Sequence, residues 1–192
     1  MCRKYFICGI IVLVVLSIAG GIWNAYSAER KDIAPDFSAE DIDGKIFELA
    51  KFTDKPVVIQ FMRVYCGGKL RNETIEQFKQ LSRLYNKYKN EIIFVTVTIS
   101  SCRTVDLKEI ANKNNIEWTF INDYSDYQLD IIEKYSTYLK KLYDPALIFI
   151  NRNREIAAVT NFCDDKKLDE YINLIIKPNK KTSIKAKEKN KK

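Results

Sequence analysis

Cys66 follows the apolar run Val57-Val58-Ile59-Gln60-Phe61-Met62 after three residues, within the stretch Tyr65-Cys66-Gly67-Gly68-Lys69. A short apolar run of this kind reads as a strand buried on both faces. From about Asn72 to Lys89, Ile75, Phe78, Leu81, Tyr85 and Tyr88 recur at helical spacing with charged residues between them. Cys66 therefore stands where a strand hands over to a helix. At a helix N-terminus, unpaired backbone N–H groups and the positive end of the macrodipole lower a thiol from about 8.5 toward 3.5–7.5 and populate the thiolate. Lys69, one turn along, and Arg63 add favourable charge if they face the sulfur. Gly67 and Gly68 leave it uncovered by side chains. The chemistry that this arrangement supports is nucleophilic attack by sulfur.

The chain has five cysteines and no histidine. Without histidine there is no Ser-His-Asp or Cys-His catalysis and no imidazole metal site, so zinc or copper would have to be held by sulfur and oxygen alone. No metal and no cofactor is expected. Cys2 and Cys8 belong to an apolar N-terminal stretch, which leaves Cys66, Cys102 and Cys163 in the body. An odd number implies at least one free thiol or an intermolecular partner.

These residues need a scaffold, and 192 residues with 46% hydrophobic content suit one globular domain. Asp43-Gly44 between two short apolar stretches marks a β-hairpin. A second buried strand over Ile92 to Ile99 reaches Cys102, and Leu107, Ile110 and Ala111 place a helix after it. The two strands and their helices form a βαβα unit, with parallel strands and a right-handed crossover. Trp118 to Asp123 adds a short strand, and Ile131, Ile132, Tyr135 and Leu139 mark another helix. Ala146 to Ile150 and Ile156 to Phe162, joined by Asn151-Arg152-Asn153-Arg154, read as an antiparallel hairpin. Leu168, Tyr171, Ile172, Ile175 and Ile176 share one face of a closing helix.

The ends of the chain differ from its body. Residues 177–192 hold eight lysines and one glutamate, which accounts for the whole formal charge of +7. This stretch reads as a disordered, solubilising tail, with no nucleic acid expected as its partner. Tyr5 to Trp23 is an uncharged, mostly apolar stretch of 19 residues behind Arg3 and Lys4. A spanning helix needs roughly 17–25 residues and a signal-peptide apolar region about 7–15, so a retained signal-anchor is the first reading. Cleavage after Ser27 is the alternative. Either way the domain is expected outside the cytoplasm. The divisions are therefore 1–31 for the membrane segment and linker, 32–176 for the domain and 177–192 for the tail.

Several marks occur in a fixed order: Ala34-Pro35-Asp36-Phe37, the Asp41-Ile42-Asp43-Gly44-Lys45 hairpin, Cys66 after the first core strand, and Asp144-Pro145-Ala146 before the second hairpin. With them the chain resembles the thioredoxin-like superfamily, in its redoxin branch of thiol-disulfide proteins and peroxiredoxin-like AhpC/TSA antioxidant proteins. The resemblance covers about Ala34 to Ile176. It implies an α/β fold, a mixed central sheet flanked by helices, and an oxidoreductase function in disulfide exchange or peroxide reduction. Cys66-Gly67-Gly68-Lys69 stands in place of the family's C-x-x-C, so Lys69 removes the second cysteine and with it the disulfide inside the motif. Arg63 stands where peroxiredoxins have a threonine.

The resemblance implies neighbouring strands for Cys66 and Cys102, and on that spacing Cys102 is read as the displaced resolving thiol, against the plainer reading of a passive loop residue. Cys163, two strands away, is the alternative. Pro145 is cis by resemblance and, with Gly67 and Gly68, offers backbone to a substrate. Asp144 is read as capping that turn. Expected partners are a protein or small-molecule thiol, disulfide or peroxide, an external thiol reductant, and the membrane. The rival reading is a thioredoxin-fold binding module that has lost its dithiol.

Overall fold

In a computed structural model, contacts divide the chain into Met1–Asp32 and Ile33–Lys192. The structure describes residues 32–65, 67–124, 130–139 and 144–177. The expected membrane segment, the lysine-rich tail beyond Lys177 and Cys66 itself lie outside these residues. Among the described residues no helix is long and apolar enough to cross a membrane.

The elements run β1 (Ser38–Glu40), β2 (Ile46–Glu48), a 3-10 turn (Leu49–Lys51), β3 (Val57–Arg63), α1 (Asn72–Tyr88), β4 (Ile93–Ile99), α2 (Thr104–Lys113), β5 (Thr119–Asn122), α3 (Asp130–Leu139), β6 (Ala146–Ile150), β7 (Ile156–Asn161) and α4 (Asp165–Ile176). The sheet order is β5-β4-β3-β6-β7. β3 pairs parallel with β4, and β4 with β5, whereas β6 runs antiparallel to both β3 and β7. This is the mixed sheet that the resemblance implies.

Alternation along β3 divides the core. Val58 and Met62 face one way and pack with Phe78 and Leu81 of α1, Leu107 of α2, and Leu168 and Ile172 of α4. Val57, Ile59 and Phe61 face the other way and meet Ile131 and Tyr135 of α3 and Phe37, Phe47 and Leu49 from the N-terminal hairpin region. Both faces are covered, which is why β3 reads as an unbroken apolar run. Its one polar member, Gln60, sits opposite Thr96 and accepts that hydroxyl at 3.0 Å, while Thr96 accepts the Trp118 indole N–H at 2.9 Å. Gln60 Oε1 is thereby satisfied, as most buried polar atoms are, while its amide nitrogen is buried without a partner among the described residues.

The β1–β2 hairpin lies on the β5 edge through Ile42 N–H to the Phe120 carbonyl, 2.8 Å, and is tied to α2 by the ion pair of Lys108 with Asp43, 3.1 Å. The N-terminal segment is fastened by Arg154, which donates to Asp36 at 2.6 Å and to the Leu49 carbonyl at 3.1 Å.

Candidate functional site

β3 and β4 end in register, Arg63 opposite Ile99. In sequence, Cys66 and Cys102 each stand three residues beyond that last pair. The parallel neighbours expected for these two cysteines are thus present up to their final paired residues.

The segment after β3 departs from the simple strand-to-helix handover. Tyr65 and Lys69 form an antiparallel bridge: Tyr65 N–H donates to the Lys69 carbonyl at 2.9 Å, and Gly68 N–H and Lys69 N–H donate to the Tyr65 carbonyl at 3.0 and 3.2 Å. Gly67 and Gly68 have φ of 74° and 71°. Two successive left-handed residues cannot belong to a right-handed helix, and only glycine adopts that conformation at little cost. α1 consequently begins at Asn72, after an eight-residue loop, Val64 to Arg71. The helix starts at Asn72, where the periodicity places it, so its N-terminus stands six residues beyond Cys66 in sequence rather than at the cysteine. Lys69 is the foot of a closed turn, not a residue one helical turn along.

Beyond the glycines lies a cleft of about 570 Å³, lined by Gly67, Gly68, Ser101, Cys102, Arg103, Asp106, Glu109, Ile110 and Lys113. One wall is the glycine turn and the other is the exposed flank of α2. A side chain at Gly67 would meet nothing within 4 Å, and Gly68 approaches only the Ile110 Cδ1. Cys102 is half-buried, and its backbone N–H donates to Ser100 Oγ at 3.0 Å. Asn122 on β5 fixes the same strand end, accepting Ser100 N–H at 3.1 Å and donating to the Ser100 carbonyl at 3.0 Å. Arg103 pairs with Asp106 through its guanidinium at 3.0 Å, which holds the Asp106 carboxyl below the ordinary range. The charged flank of α2 was not among the residues singled out by sequence. Its only signal is four charges recurring at helical spacing, indistinguishable there from a solvated face.

Cys163 ends up elsewhere. It precedes the N-cap of α4, is 7% exposed among Leu168, Phe149 and their neighbours, and burial pushes its thiol up to about 11. Both Cys102 and Cys163 are free thiols.

The Asp144-Pro145 bond is cis. Asp144 does not cap its own turn. Its Oδ1 accepts the Arg63 backbone N–H at 3.1 Å and the Thr74 hydroxyl at 3.4 Å, while Oδ2 is buried with no hydrogen-bond partner among the described residues. Burial raises its carboxyl above the ordinary range, against the lowering influence of the two hydrogen bonds and of Arg71 and Arg63. The reach is long-range because β6 ends its pairing with β3 at Phe61–Ala146. The carboxylate then supplies the next acceptor. Arg63 and Lys69 are exposed, and Pro145 is buried.

The AhpC/TSA family model matches residues 31–159. The thiol-disulfide oxidoreductase ResA of Halalkalibacterium halodurans is 24% identical over 181 residues, covering 90% of this chain and 96% of that protein. A thiol:disulfide interchange protein of the thioredoxin family from Chlorobium tepidum superposes with a TM-score of 0.63 at 15% identity, over 77% of this chain and 98% of the other. A secreted Mycobacterium tuberculosis disulfide oxidoreductase superposes with a TM-score of 0.56 at 19% identity, over 71% and 93%. These likenesses identify the fold as thioredoxin-like.

Proposed function

As the chain belongs to the AhpC/TSA family, we propose that it is a membrane-anchored thiol redox protein whose domain works outside the cytoplasm, with Cys66 as nucleophile and Cys102 as resolving thiol. The Cys66 thiolate attacks one sulfur of a protein or small-molecule disulfide and expels the other as a thiolate, leaving a mixed disulfide. Cys102, as thiolate, attacks the Cys66 sulfur of that bond and expels the second substrate thiolate. The substrate has then gained two electrons, and the protein carries a Cys66–Cys102 disulfide that two equivalents of an external thiol reduce. With a peroxide, the thiolate attacks one oxygen, the O–O bond breaks and the other oxygen leaves as hydroxide or alkoxide to take a proton from water; the resulting Cys66 sulfenic acid condenses with the Cys102 thiol to the same disulfide with loss of water.

The observation that carries this reading is the shared cleft: Cys102 and the Gly67-Gly68 turn adjoining Cys66 line one opening. Cys163 is the weaker resolving candidate, because a thiol held up to about 11 is a poor nucleophile at neutral pH. Gly67, Gly68 and Pro145 leave backbone for a substrate chain, and Arg63 and Lys69 supply positive charge on either side of Cys66 in sequence. The membrane attachment rests on the apolar stretch Tyr5 to Trp23. No cofactor or metal enters the scheme.

The test is non-reducing peptide mapping of the full-length protein, alkylated before and after mild oxidation. The expected result is a Cys66–Cys102 crosslink that forms with oxidant and opens with reductant. A Cys66 that alkylates like an ordinary thiol and never crosslinks would overturn the redox reading in favour of a binding module.

A further inference from the structure

Asp144 touches the Cys66 loop at both of its ends. The loop spans Val64 to Arg71; Arg63 is the last residue of β3 before it, and Thr74 lies in the first turn of α1 after it. One oxygen, Oδ1, accepts from the Arg63 backbone N–H at 3.1 Å and from the Thr74 hydroxyl at 3.4 Å. Thr74 is fully buried, so its hydroxyl has no solvent to turn to. α1 itself starts without help, since its N-cap Arg71 makes no side-chain capping bond. The carboxyl group thus closes the neck of the loop from a third segment, two residues before β6. Its other oxygen, Oδ2, is buried and has no partner among the described residues.

We propose that Asp144 is a positioning residue: its carboxyl group clasps both ends of the loop 64–71, and the gain or loss of a proton on Oδ2 sets how firmly that loop, with Cys66, is held. The coupling to Cys66 chemistry rests on the function proposed above; the clasp itself does not. A carboxylate makes both Oδ1 bonds charge-assisted, and such bonds are shorter and roughly twice as strong as neutral ones. A protonated carboxyl keeps the same oxygen in place as a weaker acceptor. The charged groups facing the site are Arg63 from the end of β3 and Arg71 from the start of α1, both favouring the ionised form, and burial opposes them. An unpartnered buried oxygen is where the proton costs least, because binding it removes the charge that burial penalises.

The experiment is a pH titration of the full-length, nitrogen-15-labelled protein in detergent solution, following the Arg63 amide proton, together with the alkylation rate of Cys66 over the same range. In the wild type the Arg63 amide resonance should move as the carboxyl ionises. The Cys66 rate should show an inflection at the same pH, in addition to its own single-proton dependence. Asp144→Asn keeps an acceptor oxygen but removes the titration, so both inflections should vanish. Thr74→Val keeps the carboxyl and removes one bond that favours ionisation, so both inflections should move to higher pH. Asp144→Ala should speed exchange of the Arg63 amide about tenfold, the loss expected for one hydrogen bond.

An Arg63 amide that does not titrate, or that titrates unchanged in Asp144→Asn, would overturn the clasp. An amide that titrates while the Cys66 rate follows a single-proton line would overturn the coupling to the thiol. If no Cys66–Cys102 crosslink forms in any variant, the proposed redox function fails, whereas the amide titration and the alkylation profile still decide this inference.

Discussion

Arg63 and Ile99 are register partners at the ends of the parallel strands β3 and β4, and in sequence Cys66 and Cys102 each follow that pair by three residues. Adjacent strands are about 4.8 Å apart, and a disulfide needs Cα atoms about 4.4–6.8 Å apart. The ends of β3 and β4 therefore have the spacing that the proposed Cys66–Cys102 pairing needs.

Cys102→Ser is the sharpest test of that pairing. The variant should capture its substrate as a mixed disulfide on Cys66, because no second thiol is in place to expel it. Stability should fall by no more than about 1 kcal/mol, since Cys102 is only partly buried against the core and serine is close to it in size. Non-reducing mass spectrometry after one turnover with a model disulfide reads the adduct. A variant that releases product as fast as wild type would remove Cys102 from the mechanism.

Gly67→Ala probes the turn. Nothing lies within 4 Å of the added carbon, so the cost is purely that of a φ of 74° in a residue with a Cβ. That cost is about 1–2 kcal/mol, seen as a fall in Tm of about 2–4 °C per kcal/mol in a domain of this size. Gly67→Asn should lose less, since asparagine visits the left-handed region more readily. Equal losses for alanine and asparagine would mean that the turn relaxes out of its left-handed geometry.

Cys163 should behave as a core residue. Its thiol is held up to about 11, above the unfolded value of about 8.5. A raised value in the folded state gives stability that is fully present below the unfolded value and lost as pH rises through the folded one. Stability should thus decline between about pH 8.5 and 11, and Cys163→Ala should flatten part of that decline in urea titrations. In the native protein at pH 7.5, alkylation should reach Cys102 well before Cys163.

The strand and helix order was legible because β3 and β4 are buried on both faces and α1 and α4 on one, patterns that survive in a single sequence. Asp43-Gly44 gave away the hairpin for the same reason: Gly44 has the positive φ, 81°, that such a turn uses. The cis Asp144-Pro145 bond came from family resemblance alone, since Pro145 itself carries no local signal for it. The helix start at Asn72 is legible from periodicity, but the closed turn that separates it from β3 is not. Gly67-Gly68 was visible, but a glycine pair serves an open approach and a helix break equally well, and only the paired hydrogen bonds of Tyr65 and Lys69 decide between them. Asp144 was taken for a local cap because its partners, Arg63 and Thr74, lie 81 and 70 residues away. The burial of Cys163 was hidden because it stands between a strand and a helix, outside either periodic pattern.

Asp144 also carries a stability prediction separate from its effect on the loop. Burial raises its carboxyl above the unfolded value of about 3.9, with the Arg63 and Thr74 bonds and the two arginines only partly offsetting it. The folded state therefore holds this proton more tightly than the unfolded state does. The sign follows: the favourable contribution is complete below the unfolded value and is lost as pH rises through the folded one. Asp144→Asn has no proton to lose and retains an acceptor oxygen. Relative to wild type, the variant should gain stability on going from pH 3.5 to pH 7, read as a difference in urea midpoints at the two values. A gap that stays constant, or that closes with rising pH, would mean that the Arg63 and Thr74 bonds outweigh burial and that the carboxylate is the favoured form in the fold.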